Sequence, residues 1–216
     1  MADKSINNVG WAKRSQQGKS CHARCRAQRI GARARRVLGV VALLFALIID
    51  APARELAAIP TVRLSSAHAA LCKVKVGDEM PAPQLPDLKG KSRDPQELAG
   101  INATVVVLWQ GAGARTRMLL ADLGPDVLET FGGSGVNVIG VSVKQDVATT
   151  EQQLAAAKAS FPVLLDADGA ASAQVGKGKL PRVYVVNSEG RVVWFDIEYS
   201  RATRRELRQP LEALTK

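Results

Sequence analysis

Three cysteines and two histidines, Cys21, Cys25, Cys72, His22 and His68, are the residues of this sequence best suited to bond-making chemistry. Cys21, His22 and Cys25 stand together in "CHARC", a spacing that invites a metal or redox reading. A tetrahedral site needs further ligands, and no second ligand pair follows to supply them. The segment is polar and Arg-rich and lies ahead of an apolar run, so we read the three as incidental residues of a leader. With a domain taken to begin at residue 70, both histidines precede it. That placement removes Ser-His-Asp hydrolysis, Cys-His nucleophile pairs and His-rich zinc or iron sites from the domain. Cys72 is then its only thiol, and an unpaired thiol in an exported protein is either incidental or an intermolecular partner.

Weaker patterns are also present. "GAGAR" (Gly111 to Arg115) supplies the first half of a nucleotide-binding G-x-G-x-x-G, but the third glycine position is Thr116. Arg115 and Arg117 could attract an anion to a helix N-terminus there, although solvated surface arginines are the plainer reading. "DADG" (Asp166 to Gly169) begins like a calcium loop without its later acidic ligands, which leaves a turn capping the next helix. Arg201, Arg204, Arg205 and Arg208 are read as a solvated helix face. No metal and no cofactor is expected.

The net charge of +10 looks like a nucleic-acid signal until it is divided along the 216 residues. Residues 1–69 hold 12 Lys/Arg against 3 Asp/Glu, and residues 70–216 hold 18 against 17. The basic excess belongs to the leader, so no nucleic-acid partner is expected. Within the leader a basic stretch precedes "VLGVVALLFALII", Val37 to Ile49, an uncharged run of 13 residues. That is short against the ~20 residues of a membrane span and has the layout of a signal peptide. Small-residue cleavage motifs occur at "APA" (Ala51 to Ala53) and "AHA" (Ala67 to Ala69). The domain is therefore expected to be exported, periplasmic or extracytoplasmic. Two alternatives stay open: twin-arginine export through Arg35-Arg36, and a short uncleaved anchor, in which case membrane contact is made only through the leader.

Elements that could position chemistry begin after Lys73. Met80 to Ser92 is Pro-rich and suits an irregular or hairpin start, and Asp94-Pro95 suits the opening of a short helix through Leu98. Ala103 to Trp109 is a continuous apolar run typical of a central strand, with Trp109 in the core. Leu119, Leu123, Val127 and Phe131 follow at four-residue spacing, one stripe of a helix that Gly124-Pro125 should kink or break. A second buried strand spans Val136 to Val143, and an Ala-rich helix from about Thr149 to Ala159 opens on Thr-Thr-Glu. Phe161 to Asp166 is a short extended piece. Leu180 to Asp196 reads as a hairpin turning at Asn187 to Gly190, with Val192 and Trp194 on one face, and a Thr203 to Leu214 helix closes the chain. A parallel start with a hairpin finish predicts a single α/β sandwich with a mixed sheet.

This order, together with "VGDEMPAPQLPDLKGK", "TVVVLWQ", "GVNVIGVSV", "FPVLLDADG" and "LPRVYVVNSEGRVVW", resembles the thioredoxin-fold redoxins. That group spans the alkyl hydroperoxide reductase/thiol-specific antioxidant family and the periplasmic thiol-disulfide oxidoreductases. The resemblance implies a thioredoxin-like three-layer sandwich over residues 70–216, a cis-proline at Pro181, and thiol-disulfide or peroxide reduction. It also implies a reactive cysteine at the start of the helix after Trp109, where the helix dipole and free N–H groups stabilise a thiolate. Set against the family's "FWA-x-W-C-x-x-C", the two cysteine positions are Gly113 and Thr116. Glycine has nothing to react, and an unassisted threonine hydroxyl is not a replacement nucleophile. The expectation is therefore a non-catalytic binding or accessory module. Its groove, formed by Trp109, Gly113, Thr116, Leu180 and Pro181, would take an extended peptide or protein partner. The alternative is an oxidoreductase that uses Cys72.

Overall fold

The structure is a computed structural model and describes residues 59–216. The "CHARC" segment, the apolar run Val37 to Ile49, Arg35-Arg36 and the "APA" motif lie outside the described residues. Among those described, no helix is long and apolar enough to cross a membrane.

A short helix, α1 (Ser66–Ala69), comes first, capped by the Ser65 side chain on the His68 N–H. Strands β1 (Leu85–Pro86) and β2 (Ser92–Arg93) form the leading hairpin, and a 3-10 turn at Pro95–Leu98 is capped by Asp94. The core strands are β3 (Ala103–Trp109), β4 (Val136–Val143), β5 (Val163–Asp166), β6 (Arg182–Asn187) and β7 (Val192–Ile197). Their order across the sheet is β5-β4-β3-β6-β7. β3, β4 and β5 run parallel, while β6 is antiparallel to β3 and β7 to β6, so the sheet is mixed as expected. Helices α2 (Ala114–Leu123), α3 (Glu129–Phe131), α4 (Val147–Ala157), α5 (Ala170–Val175) and α6 (Arg201–Leu214) complete the fold.

Strand alternation sorts the sheet into two faces. Ala103, Val105, Val107, Trp109, Val183 and Val185 pack under Leu119, Leu120, Leu123 and Val127, with Leu154 of α4 and Leu207 and Leu211 of α6. Leu108, Val141, Tyr184 and Val186 face the other way, toward Val175 of α5 and the segment carrying Cys72 and Val74. This is the thioredoxin-like three-layer sandwich. Burying each large aliphatic side chain of the α2 stripe is worth about 1.5–3 kcal/mol, so the stripe fixes α2 onto the sheet.

The α2 helix is interrupted at Gly124-Pro125, as expected: it ends at Leu123, and one wide turn, Gly124–Leu128, leads into α3, with Val127 and Phe131 of the stripe still buried. Three expectations are corrected in detail. α4 starts at Val147, because Asp146 and not the Thr-Thr pair accepts the Thr149 N–H at 2.8 Å. α6 starts at Arg201 under a Ser200–Thr203 capping box. Val192 and Trp194 fall on opposite faces, because β7 carries an extra residue, Val193, between the partners of Val185 and Val186.

The start of the domain also lies earlier than residue 70. His68 Nε2 meets Glu198 at 3.2 Å, and Val62 and Leu64 pack against the core, so residues before 70 lie on the sandwich. His68 therefore belongs to the folded unit, which corrects its assignment to the leader.

Candidate functional site

β3 ends at Trp109 and the chain turns through 110–113 into α2. The turn is held from below. Gly111, at φ +69, donates its N–H to Gln145 Oε1 at 2.8 Å, and Gln153 Nε2 donates to the same oxygen at 2.7 Å. Trp109 Nε1 donates to Gln153 Oε1 at 2.7 Å, and Gln145 Nε2 reaches Ser142 Oγ at 2.8 Å, which pairs with Thr150 at 2.7 Å. Trp109 is wholly buried against Gly140, where a Cβ would come within 2.8 Å of the indole. Sequence reasoning named Trp109 but missed Gln145 and Gln153, whose only signal was two amides flanking a helix start.

α2 opens on Gly113, which caps it with no side chain, and Thr116 in its first turn is buried at 3 % exposure. The two arginines expected at this terminus are both engaged. Arg115 Nη1 donates to Glu198 Oε1 at 2.7 Å, and the Arg117 guanidinium donates to the Ala112 carbonyl. Neither is left as a free anion receptor.

The Leu180–Pro181 bond is cis, as the resemblance implies, and Pro181 C=O accepts the Glu198 N–H at 2.8 Å. Of the five residues expected to form the groove, Gly113 is exposed and Leu180 half-buried, whereas Trp109, Thr116 and Pro181 are buried beneath them. The Leu180 N–H and C=O have no hydrogen-bond partner among the described residues. β6 pairs with β3 only as far as Arg182–Leu108.

Glu198 ties these parts together. Its carboxylate, 16 % exposed, meets Arg115 at 2.7 Å, Lys179 at 3.0 Å and His68 Nε2 at 3.2 Å. The Lys179 hydrogen bond holds the Glu198 carboxyl below the usual range, against partial burial that acts the other way, with the charges of Lys179, Arg115 and His68 adding to the lowering.

Cys72 stands away from the α2 terminus. Its thiol donates to His68 C=O at 3.4 Å and lies 3.6 Å from Arg182 Nη1. Arg182, 1 % exposed, donates to the carbonyls of Lys179, Lys177 and Leu71 and to Tyr184 Oη, with no carboxylate partner among the described residues. Gly176 leaves room for the guanidinium, which a Cβ there would strike. Burial pushes the Tyr184 hydroxyl up, which keeps it neutral beside this cation. No cluster of three metal-ligating side chains occurs among the described residues.

Residues 76–195 match the family model described as AhpC/TSA family, over half of the chain. The chain belongs to the AhpC/TSA family. Solved structures show the same fold. A provisionally named thiol:disulfide interchange protein DsbE from Chlorobium tepidum is 20% identical, with 66% of this chain and 99% of that one covered at a TM-score of 0.59. Peroxidoxin BcpB from Mycobacterium tuberculosis is 20% identical over 66% and 99%, at 0.56. A secreted Mycobacterium tuberculosis disulfide oxidoreductase homologous to E. coli DsbE is 20% identical over 62% and 96%, at 0.52. No curated protein matches. This AhpC/TSA-family chain thus carries the redoxin scaffold with Gly113 and Thr116 where the resemblance places the two thiols.

Proposed function

We propose that the protein is an exported AhpC/TSA-family domain that has given up thiol catalysis and holds an extended segment of a peptide or protein partner beside Pro181. The observation that carries this reading is the pair of unpartnered backbone groups of half-buried Leu180, between Lys179 and Pro181, which Glu198 links to Arg115 of α2. An extended chain can satisfy both groups by adding as a strand. At the α2 terminus itself Gly113 has no side chain and Thr116 is buried, so binding there leads to no covalent step. The signal-like leader supports export, as does the likeness to a secreted disulfide oxidoreductase.

One observation favours the alternative, an oxidoreductase working through Cys72: the Arg182 guanidinium lies 3.6 Å from its sulfur. Disulfide- and peroxide-reducing turnover, measured on the protein and on Cys72→Ser, separates the two. The binding reading expects no turnover in either. Turnover that disappears in Cys72→Ser overturns it. Amide chemical-shift changes confined to Leu180, Gly113 and their neighbours on adding unfolded peptide are the expected positive signal.

A further inference from the structure

On the sheet face opposite α2 there is a cavity of about 400 Å³, apart from the groove beside Pro181. Its floor is apolar and comes from four strands: Val106 and Leu108 of β3, Ile139 and Val141 of β4, Leu164 of β5 and Val186 of β6. Val175 of α5 forms one wall, and the chain from Glu79 to Leu85, stiffened by Pro81 and Pro83, forms another. None of Trp109, Gly113, Thr116, Leu180 or Pro181 lines it. The volume is within the usual range of about 300–1,000 Å³ for small-ligand sites, and an apolar cavity holds water poorly while accepting apolar guests.

The mouth adds a preference of charge. Glu79 and Glu189 lie on the rim, both exposed, and no Lys, Arg or His lines the cavity among the described residues. The Asn187 side-chain oxygen Oδ1 is already taken by the Glu189 and Arg191 N–H groups. An anionic head would meet two carboxylates with no counter-charge, whereas a neutral or cationic head would not.

We infer that this cavity is a binding site for a slender apolar molecule with a neutral or cationic polar end. The hydrocarbon part lies along Val106, Val141 and Leu164, and the polar end sits between Glu79 and Glu189. The site is independent of the groove beside Pro181 and of any thiol chemistry.

The test uses the full chain and N-phenyl-1-naphthylamine, a neutral dye whose emission rises in apolar surroundings. It should bind saturably, and decylamine and decanol should displace it at concentrations several-fold lower than decanoate. Val106→Trp, which fills the floor, should abolish dye binding. Glu189→Lys changes an exposed turn residue at the mouth and should shift the ranking toward decanoate. Absence of saturable binding overturns the site. Displacement by decanoate equal to that by decylamine, or a ranking unmoved by Glu189→Lys, overturns the assignment of its ligand class. If Val106→Trp fails to fold, the ranking in Glu189→Lys still decides.

Discussion

Replacing Glu198 by Gln tests the arrangement that joins α1, the α2 terminus and the segment before Pro181. The substitution keeps the side-chain length and the left-handed backbone at φ +60, so backbone strain cancels and only the charge is removed. The lost partners are Arg115, Lys179 and His68, 55 %, 49 % and 35 % exposed against 16 % for Glu198, so solvent screens each pair. Exposed pairs contribute about 0.2–1 kcal/mol each. Two cations of fixed charge place the loss at about 0.4–2 kcal/mol. His68 Nε2 is the third partner, at 3.2 Å. The Glu198 carboxyl titrates lower in the folded than in the unfolded state, so its stabilisation is present above the unfolded value and lost as pH falls through the lowered folded value. Urea midpoints of wild type and Glu198→Gln should therefore differ at neutral pH. The gap should shrink in strong acid, as Glu198 takes up its proton, and narrow with added salt. Equal midpoints at every pH, or a gap indifferent to salt, would refute the reasoning.

Other substitutions probe separate parts of the fold. Gly140→Ala puts a methyl within 2.8 Å of Trp109 and 2.9 Å of Phe161, and should cost about 1–3 kcal/mol while altering tryptophan emission. Trp194 Nε1 is buried without a partner, so Trp194→Phe should lose less stability than Trp109→Phe, which also gives up the Gln153 hydrogen bond, by about 1 kcal/mol in denaturant titrations. Asp146→Ala removes the α4 cap and should lower the urea midpoint, with the difference narrowing as acid protonates the aspartate. Restoring sulfur with Gly113→Cys and Thr116→Cys together should give a reducible disulfide and measurable disulfide reduction, because nothing lies within 4 Å of a Cβ at 113. A double variant that folds without gaining either would show that the loop geometry, and not the missing thiols, blocks the chemistry.

The strands were legible where burial on both faces made the apolar runs continuous. Ala103–Trp109 and Val136–Val143 match the sequence reading residue for residue. Helix starts were less legible, because Asp146 and Ser200 act as caps through side-chain geometry that neighbouring threonines mimic in composition. The facing of Val192 and Trp194 was misread because one inserted residue reverses alternation, and nothing in "VVWF" announces it. At the site, the cis bond before Pro181 was implied by the resemblance that the motifs carry. The Gln145–Gln153 support and the meeting of His68, Arg115 and Lys179 on Glu198 could not be read from the sequence, since they join residues as far as 130 positions apart.

The stretch from Gly77 to Asp87 touches both margins of the central sheet. Gly77 donates to Val192 C=O and Asp78 accepts the Val192 N–H on the β7 side, while Asp87 bridges to Leu164 on β5. Open strand margins invite pairing with another molecule, so this Pro-rich strap acts as a guard against self-association. A single proteolytic nick near Pro81 or Pro83 would leave the layered core intact yet bare both margins at once, and the expected consequence is accumulation of aggregates built from still-folded molecules.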